Sequence, residues 1–272
     1  MTTLGHPNRM AIFRLLMRRY PGFVAAGDIA KALDLKSSTL SVYLSALTRV
    51  GLATQKRVST SVQYQASLEA AREISDFIFQ DCCRGRAQLC HPFEPSALTK
   101  ENAGEDKLNV VFICTGNSAR SILAESILRF EAGDRFNAYS AGTRPAPKPN
   151  RFALELLRAR GHDISGLSSK NLNVFLGDDA PQMDFIFTVC DAAANEECPF
   201  WPGRPISGHW GLPDPASVRG RDQEMRQAFE RTYDHLKARI MEFVNLPKQA
   251  YCQPQIQTTI DTIGAMPAKS ES

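Results

Sequence analysis

Residues 110–121 read Val110-Val111-Phe112-Ile113-Cys114-Thr115-Gly116-Asn117-Ser118-Ala119-Arg120-Ser121. The run begins with four apolar residues, which is typical of a strand buried in a parallel sheet. A loop of small residues follows, and the next stretch, over residues 119–132, has the pattern of a helix. A strand, a short loop and a helix in immediate succession predict one unit of an α/β fold.

The alternation of strand and helix continues on the C-terminal side of this run. It predicts an α/β doubly wound parallel sheet for residues 107–246. The elements expected there are strands at 108–113, 136–140 and 184–189 and helices at 119–132, 150–161 and 221–244. Residues 247–272 are polar with scattered Pro and Gly, and we predict that this tail is disordered.

The residues before the α/β part predict a different architecture, an α+β winged helix-turn-helix domain over residues 1–94. Two short helices are joined by a tight turn, and a hairpin forms the wing. The elements expected are helices at 8–20, 26–33, 39–50 and 68–82 and strands at 52–57 and 62–66. Residues 95–106 are rich in Pro, Ser, Thr, Gly and charged residues, which indicates a linker.

The composition fits two soluble domains. The chain has 272 residues, of which 43% are hydrophobic and 22% charged. It has no run of about 18 apolar residues, so no membrane span is expected, and its first residues lack the apolar core of a signal peptide. These features predict a cytoplasmic protein. The net charge of +3 comes from an excess of Lys and Arg in residues 1–95, which suits an anionic partner for the first domain.

Seven cysteines are present. In a reducing cytosol such a set indicates metal binding or redox chemistry rather than structural disulfides.

The loop after the first α/β strand predicts an oxyanion site. Its backbone N–H groups and the start of the next helix point at one spot, and Arg120 adds a planar fork of donors. The same field is expected to lower the pKa of Cys114 and make its thiolate a nucleophile, with Ser121 bonding the thiolate and Asn117 pinning the loop. The predicted oxyanion-binding residues are Thr115, Gly116, Asn117, Ser118, Ala119, Arg120 and Ser121. The alternative is a buried, inert cysteine before an ordinary helix.

The pattern C-x-G-N-x-x-R-S in this loop resembles the low-molecular-weight phosphatase family, and the resemblance covers roughly residues 107–245. It implies in-line attack by the Cys114 thiolate with a distal Asp-Pro as general acid. Asp214, in Asp214-Pro215-Ala216, matches that role.

Two further cysteines indicate a reductase rather than a phosphatase, because one cysteine suffices for ester hydrolysis. Cys190 follows a predicted strand as Cys114 does, so both lie at one edge of the sheet, and Cys198 comes eight residues later. The pair resembles the resolving cysteines of arsenate reductases with the phosphatase fold. That resemblance implies that arsenate becomes arsenite with a Cys114–Cys190 disulfide, which Cys198 then attacks.

No tightly bound cofactor is expected, only an external thiol reductant: thioredoxin, glutaredoxin or a low-molecular-weight thiol. The Cys190–Cys198 gap is one residue longer than in well-known thioredoxin-coupled members, which leaves the reductant open. Resemblance to some relatives implies a stabilising cation at Asn117, Glu125 and Ser140. Helix capping and loop hydrogen bonds are the alternative explanation of these three residues.

Three rival interpretations remain for this half of the chain. In the first, Cys190 and Cys198 are merely small core residues. In the second, the chain is a low-molecular-weight protein tyrosine phosphatase fused to a metal-responsive regulator. In the third, the chain is a regulator that uses the cradle only to bind an oxyanion. Against the phosphatase, Ala216 stands where tyrosine-directed members usually carry an aromatic residue. Weak phosphatase activity is compatible with a reductase.

The first domain resembles the ArsR family of winged-helix repressors over about residues 3–90. The residues that carry the resemblance are Leu4-Gly5-His6-Pro7-Asn8-Arg9, Ile12, Leu15, the stretch Leu40 to Leu47, and Gly51-Leu52. It implies a homodimer whose second motif helix enters the major groove of operator DNA. The residues expected at DNA are Ser37, Ser38, Thr39, Ser41 and Tyr43, with Lys56 and Arg57 of the wing at phosphates. The alternative for any single one of them is a solvated helix face.

Cys82, Cys83 and Cys90 are the candidate inducer site. Three soft thiolates suit trivalent arsenic or antimony, whereas zinc usually takes a fourth ligand and C-x-x-C spacing. The cluster also resembles the arsenite site of some ArsR proteins. A zinc or cadmium sensor and a chance cluster are the alternatives. The sequence as a whole predicts an arsenite-responsive repressor fused to an arsenate reductase.

Overall fold

The computed structural model of the protein describes residues 2–82, 107–177, 179–196, 201–203, 205–253 and 255–267. The chain divides into two compact units, the first made of residues 1–93 and 195–197 and the second of residues 94–194 and 198–272. The predicted linker, residues 95–106, lies outside the described residues.

The first unit is a winged helix-turn-helix, as predicted. Its strands form an antiparallel sheet in the order β1-β3-β2. The elements are α1 (Pro7–Arg18), β1 (Val24–Ala25), α2 (Ala26–Ala32), α3 (Ser37–Arg49), β2 (Ala53–Val58), β3 (Ser61–Ala66), α4 (Leu68–Phe77) and a π-helical turn (Ile78–Cys82).

The core of the first unit lies between α1 and α3. Ile12, Leu15 and Leu16 of α1 are buried, as are Leu40, Leu44 and Leu47 at helical spacing on α3. Gly51 follows α3 with φ +77°, a left-handed conformation that glycine adopts without steric penalty. The apolar face of α3 is therefore used inside the unit, and its opposite face is exposed.

The second unit has a parallel four-stranded sheet in the order β5-β4-β6-β7, which confirms the doubly wound α/β fold. The elements are β4 (Leu108–Cys114), α5 (Arg120–Ala132), β5 (Phe136–Gly142), α6 (Arg151–Ala159), β6 (Phe185–Thr188), α7 (Asp191–Asn195), β7 (Ile206–His209), α8 (Asp222–Val244) and α9 (Ile256–Gly264). Sequence analysis had not predicted β7.

The strand β4 is at the centre of this sheet and sets the place of the site. Val110, Val111 and Phe112 are fully buried because helices cover both faces of the sheet. Cys114 ends β4 opposite Gly142 of β5, and Ile113 pairs with Thr188, the last residue of β6. The carboxyl ends of β4 and β6 therefore carry Cys114 and Cys190 at one edge of the sheet.

The prediction of a disordered tail is wrong for residues 248–252 and 256–264. Lys248–Cys252 form a 3-10 helix and Ile256–Gly264 form α9. The physical reason is an apolar face at helical spacing: Ile256, Ile260 and Ile263 are buried in the core of the second unit.

Candidate active site

The loop from Cys114 to Ala119 folds back over the end of β4. The backbone N–H of Asn117 donates to Cys114 Sγ over 3.1 Å, and Ser121 Oγ lies 2.9 Å from the same sulfur. Asn117 has φ +42°, a left-handed conformation that asparagine tolerates better than most residues. Gly142 is required beside the loop, because a Cβ there would lie 2.6 Å from the Thr115 carbonyl oxygen.

The Asn117 side chain pins the loop, as the sequence predicted. It is fully buried, and its Nδ2 donates to Ser121 Oγ over 2.9 Å and to Ser140 Oγ over 2.8 Å. Its Oδ1 accepts from the backbone N–H of Lys170 over 2.7 Å. Buried amides with all these bonds satisfied hold a single conformation.

Arg120 opens α5 and reaches the loop that carries Asp214. Its Nη1 donates to the Leu212 carbonyl oxygen over 2.8 Å, and its Nη2 lies 3.3 Å from Asp214 Oδ2. Asp214 also accepts a hydrogen bond from the backbone N–H of Ala216. By this bond it caps the start of the 3-10 helix Pro215–Ser217. The structure thus brings the predicted cation and the predicted general acid into contact.

The prediction that the cradle lowers the pKa of Cys114 is wrong for this arrangement. Burial raises the pKa of Cys114, which is 3% exposed, and the nearby Cys190 raises it further. The hydrogen bond from Ser121 and the charge of Arg120 act in the opposite direction but are outweighed. The physical reason is desolvation of the thiolate.

Cys190 lies two residues after β6 and is 1% exposed. Its sulfur lies 3.5 Å from Thr115 Oγ1, and the backbone N–H of Ala193 donates to it over 3.4 Å. Cys114 and Cys190 line one cavity of about 570 Å³, together with Thr115, Gly116, Ser118, Ala119, Arg120, Asp191, Ala192, Leu212, Pro213, Asp214 and Ala216. Cys198, the third member of the predicted relay, lies outside the described residues.

Glu125, one of the three residues suggested for a cation, is already neutralised by side chains. It is 2% exposed, accepts from Ser140 Oγ over 2.5 Å, and forms ion pairs with Arg129 and, at 3.5 Å, with Lys170. The described part of the chain has no group of three or more His, Cys, Asp and Glu placed to hold a metal ion. The network joins α5, the helix that follows the loop, to β5, the strand that lies beside it.

Three contacts near the cavity were missed by sequence reasoning. His209 Nε2 lies 3.1 Å from Asp191 Oδ1, and His209 Nδ1 lies 2.9 Å from Thr188 Oγ1. The buried Arg239 of α8 donates to the Trp210 carbonyl oxygen over 2.9 Å. No local signal predicts these contacts, because parallel pairing of β6 and β7 and the packing of α8 create them.

In the first unit, Ser37, Ser38 and Ser41 are exposed on α3, and Thr39 is half-buried. Tyr43 is half-buried. Its ring packs on His6 with centroids 4.8 Å apart, and its hydroxyl lies within hydrogen-bond distance of His6 and Asn8. Tyr43 therefore joins α3 to the start of α1.

The exposed face of α3 includes two residues that were not predicted, Val42, which is 66% exposed, and Ser45. Their signal in the sequence was their spacing opposite Leu40, Leu44 and Leu47. Lys56 and Arg57 are exposed on β2, and the Lys56 ammonium lies 3.9 Å from the centre of the Phe23 ring. Cys82 is exposed at the end of the π-helical turn, whereas Cys83 and Cys90 lie outside the described residues.

Among the described helices, none pairs the length needed to cross a membrane with a sufficiently apolar composition.

Comparison with known families gives a match in each unit. The model of the low molecular weight phosphotyrosine protein phosphatase family matches residues 109–251. A helix-turn-helix domain model matches residues 4–56.

Curated relatives match the second unit over nearly their whole length. An arsenate reductase of Shouchella clausii is 37% identical over 134 residues, which are 49% of this chain and 93% of that protein. An arsenate reductase of Bacillus subtilis is 35% identical over 144 residues, 53% of this chain and 99% of that protein.

Among solved structures, a thioredoxin-dependent arsenate reductase of Corynebacterium glutamicum aligns over 80% of this chain and 92% of its own, with 20% identity and a TM-score of 0.38. An arsenate reductase of Archaeoglobus fulgidus aligns over 49% and 99%, with 26% identity and a TM-score of 0.38.

Proposed function

Because the chain belongs to the low molecular weight phosphotyrosine protein phosphatase family, we propose that its second unit is an arsenate reductase whose nucleophile is Cys114. The first unit, in this proposal, is a DNA-binding repressor that responds to arsenite. The observation that carries the enzymatic half is the second buried thiol: Cys190 lines the same cavity as Cys114. Hydrolysis of a phosphate ester needs one thiol, whereas a two-electron reduction needs two. The arsenate reductases at 35% and 37% identity support the same assignment.

In the first step the Cys114 thiolate attacks the arsenic atom of arsenate. An S–As bond forms, and one oxygen leaves as water with a proton from Asp214. The inward N–H of Asn117 and the guanidinium of Arg120 stabilise the charge on the remaining oxygens. Arg120 is close to this position already, because it pairs with Asp214 at the rim of the cavity.

In the second step Cys190, as a thiolate, attacks Cys114 Sγ. The S–As bond breaks and its electron pair stays on arsenic, which leaves as arsenite. The two thiols are oxidised to a Cys114–Cys190 disulfide. Thr115 Oγ1, 3.5 Å from the Cys190 sulfur, and the N–H of Ala193 stabilise this second thiolate.

Turnover then requires Cys198. Its thiolate attacks Cys190, frees Cys114 and forms a Cys190–Cys198 disulfide, which an external thiol reductant of the thioredoxin or glutaredoxin type, or a low-molecular-weight thiol, reduces. A three-cysteine route separates the buried site of chemistry from the place where a reductant binds.

The first unit is the regulatory half of the proposal. A homodimer of the chain binds operator DNA through α3, with the exposed side chains of Ser37, Ser38 and Ser41 in the major groove and Lys56 and Arg57 at phosphates. Arsenite, the product of the second unit, binds Cys82, Cys83 and Cys90 and releases the DNA. The two halves are thus linked by one ion.

Substitution of single cysteines tests the enzymatic half. With arsenate and a thiol reductant, Cys114→Ser and Cys190→Ala are both expected to abolish turnover, while Cys252→Ser, a free cysteine outside the cavity, retains it. With an aryl phosphate ester, Cys190→Ala is expected to keep whatever hydrolysis the unchanged protein shows. Arsenate turnover that survives Cys190→Ala would instead favour a phosphatase.

A further inference from the structure

The C-terminal helix α9 is an addition to the region shared with the family, because the family match ends at residue 251. Its buried face is formed by Ile256, Ile260 and Ile263. This face packs against β7, the last strand in the sheet order. Glycines permit the close approach, since a Cβ on Gly264 would lie 2.5 Å from the His209 carbonyl oxygen.

Hydrogen bonds tie this C-terminal segment to the residues directly after β7. Trp210, fully buried and stacked on Phe187 at 3.9 Å, donates from Nε1 to the Ile260 carbonyl oxygen over 3.2 Å. Arg239 of α8 joins the two segments, because it donates to the Trp210 carbonyl oxygen over 2.9 Å and to the Met266 carbonyl oxygen over 3.0 Å.

The same loop reaches the cavity within a few residues. Leu212 accepts from Arg120 through its carbonyl oxygen, and Asp214 pairs with the same guanidinium. Leu212 and Asp214 both line the cavity. A continuous set of bonds and packed side chains therefore runs from α9 through Trp210 to Arg120.

We propose that α9 is a positioning element of the active site. It fixes the backbone at Trp210, and so sets where the Leu212 carbonyl and the Asp214 carboxylate hold Arg120. Ile260 and Trp210 are positioning residues, because they act through the loop rather than on the reacting atoms. The proposal rests on the proposed reductase activity for its kinetic test and has a second test that does not.

The kinetic test is the single-turnover rate of arsenate reduction in the full chain. Ile260→Ala, which removes apolar packing on β7, and Trp210→Phe, which removes the hydrogen bond to Ile260, are each measured alone and together with Asp214→Asn. Thr258→Ala on the exposed side of the same helix is the matched control. Thermal unfolding of each variant is measured to check that the variant is folded at the assay temperature.

Ile260→Ala and Trp210→Phe are each expected to lower the single-turnover rate roughly threefold to tenfold, as slight misplacement of a catalytic group does. Neither is expected to lower it further when Asp214 is already replaced, since both act through that loop. An equal loss in both backgrounds, or no loss in either, would overturn the proposal.

The second test follows alkylation of Cys114 by iodoacetamide across pH, without arsenate, by mass spectrometry. In the position where the loop holds it, Arg120 lowers the pKa of Cys114. Ile260→Ala and Trp210→Phe loosen the hold of the loop on Arg120, so their alkylation profiles are expected to move to higher pH. The profile of Thr258→Ala is expected to stay unmoved. Identical profiles would contradict the positioning role. A shifted profile in a protein that reduces no arsenate would sink the proposed function and leave this inference standing.

Discussion

Arg120 and Asp214 form an ion pair across the mouth of the cavity, with Nη2 and Oδ2 3.3 Å apart. The Asp214 side chain is 42% exposed, so solvent screens the pair and it adds little stability. A weak pair is easily exchanged for a bound anion. Arg120 Nη2 can therefore exchange Asp214 for a tetrahedral oxyanion while Nη1 keeps its hydrogen bond to the Leu212 carbonyl oxygen.

Asp214→Asn tests the role of Asp214, the acidic partner in this ion pair, as the proton donor. Loss of the proton donor is expected to slow arsenate reduction roughly a hundredfold, the usual effect of removing a general acid. Phosphate binding is expected to persist, since Arg120 and the loop N–H groups remain. Single-turnover kinetics and calorimetry measure the two effects. Asp222→Asn, at an exposed ion pair with Arg151, is the control, and equal rates for both variants would refute the role.

The pH dependence of Cys114 follows from its burial. Because burial raises the pKa of Cys114, alkylation of this thiol is expected to have a midpoint above that of free cysteine. The folded state binds the proton more tightly than the unfolded state, so stability is full below the unfolded pKa and declines as pH rises through the folded one. Chemical unfolding between pH 8 and 10 is expected to show this decline. Cys114→Ser should lack it, and the same decline in that variant would contradict the assignment.

Ser121→Ala removes the hydroxyl 2.9 Å from the Cys114 sulfur. Because the Ser121 hydrogen bond lowers the pKa of Cys114, its loss is expected to raise that pKa further, since a hydrogen bond to a charged group favours the charged form. The rate of alkylation at pH 7 falls accordingly. Ser126→Ala, a buried serine of the same helix bonded to His162, controls for general destabilisation, and equal rates in the two variants would count against the hydrogen bond.

Arg57→Ala tests the wing. If Arg57 contacts one phosphate, the slope of the logarithm of DNA affinity against the logarithm of salt concentration is expected to shrink by about 0.9. Fluorescence anisotropy with a mixed-sequence duplex measures the slope. Tyr43→Phe, a residue turned toward His6, is expected to leave the slope unchanged. The reverse result would place the DNA on another face.

The sequence predicted what depends on neighbours along the chain. The apolar run of β4 and the small residues up to Arg120 specify strand, cradle and helix locally. β7 escaped prediction because only Ile206 among its four residues is a buried apolar side chain. The helix α9 carried a usable signal, since Ile256, Ile260 and Ile263 follow helical spacing, but polar residues between them suggested disorder.

Contacts between distant segments were not predictable in this way. The bond from Arg120 to the Leu212 carbonyl joins residues 92 positions apart. The error in the pKa of Cys114 has a similar origin, because the motif supplies the donors but does not reveal how deeply packing buries the sulfur, and burial is the largest cause of the raised pKa. The place where Arg120 is held depends on packing around Trp210, which no local pattern reveals.

Mass spectrometry of the protein after reaction with arsenate in the absence of reductant tests the central claim most directly. The account predicts one equivalent of arsenite and a disulfide that joins Cys190 to Cys198, or Cys114 to Cys190 when Cys198 is replaced by serine. Arsenite formation with Cys190 still a free thiol, or recovery of unreacted Cys114 with unchanged arsenate, would contradict it.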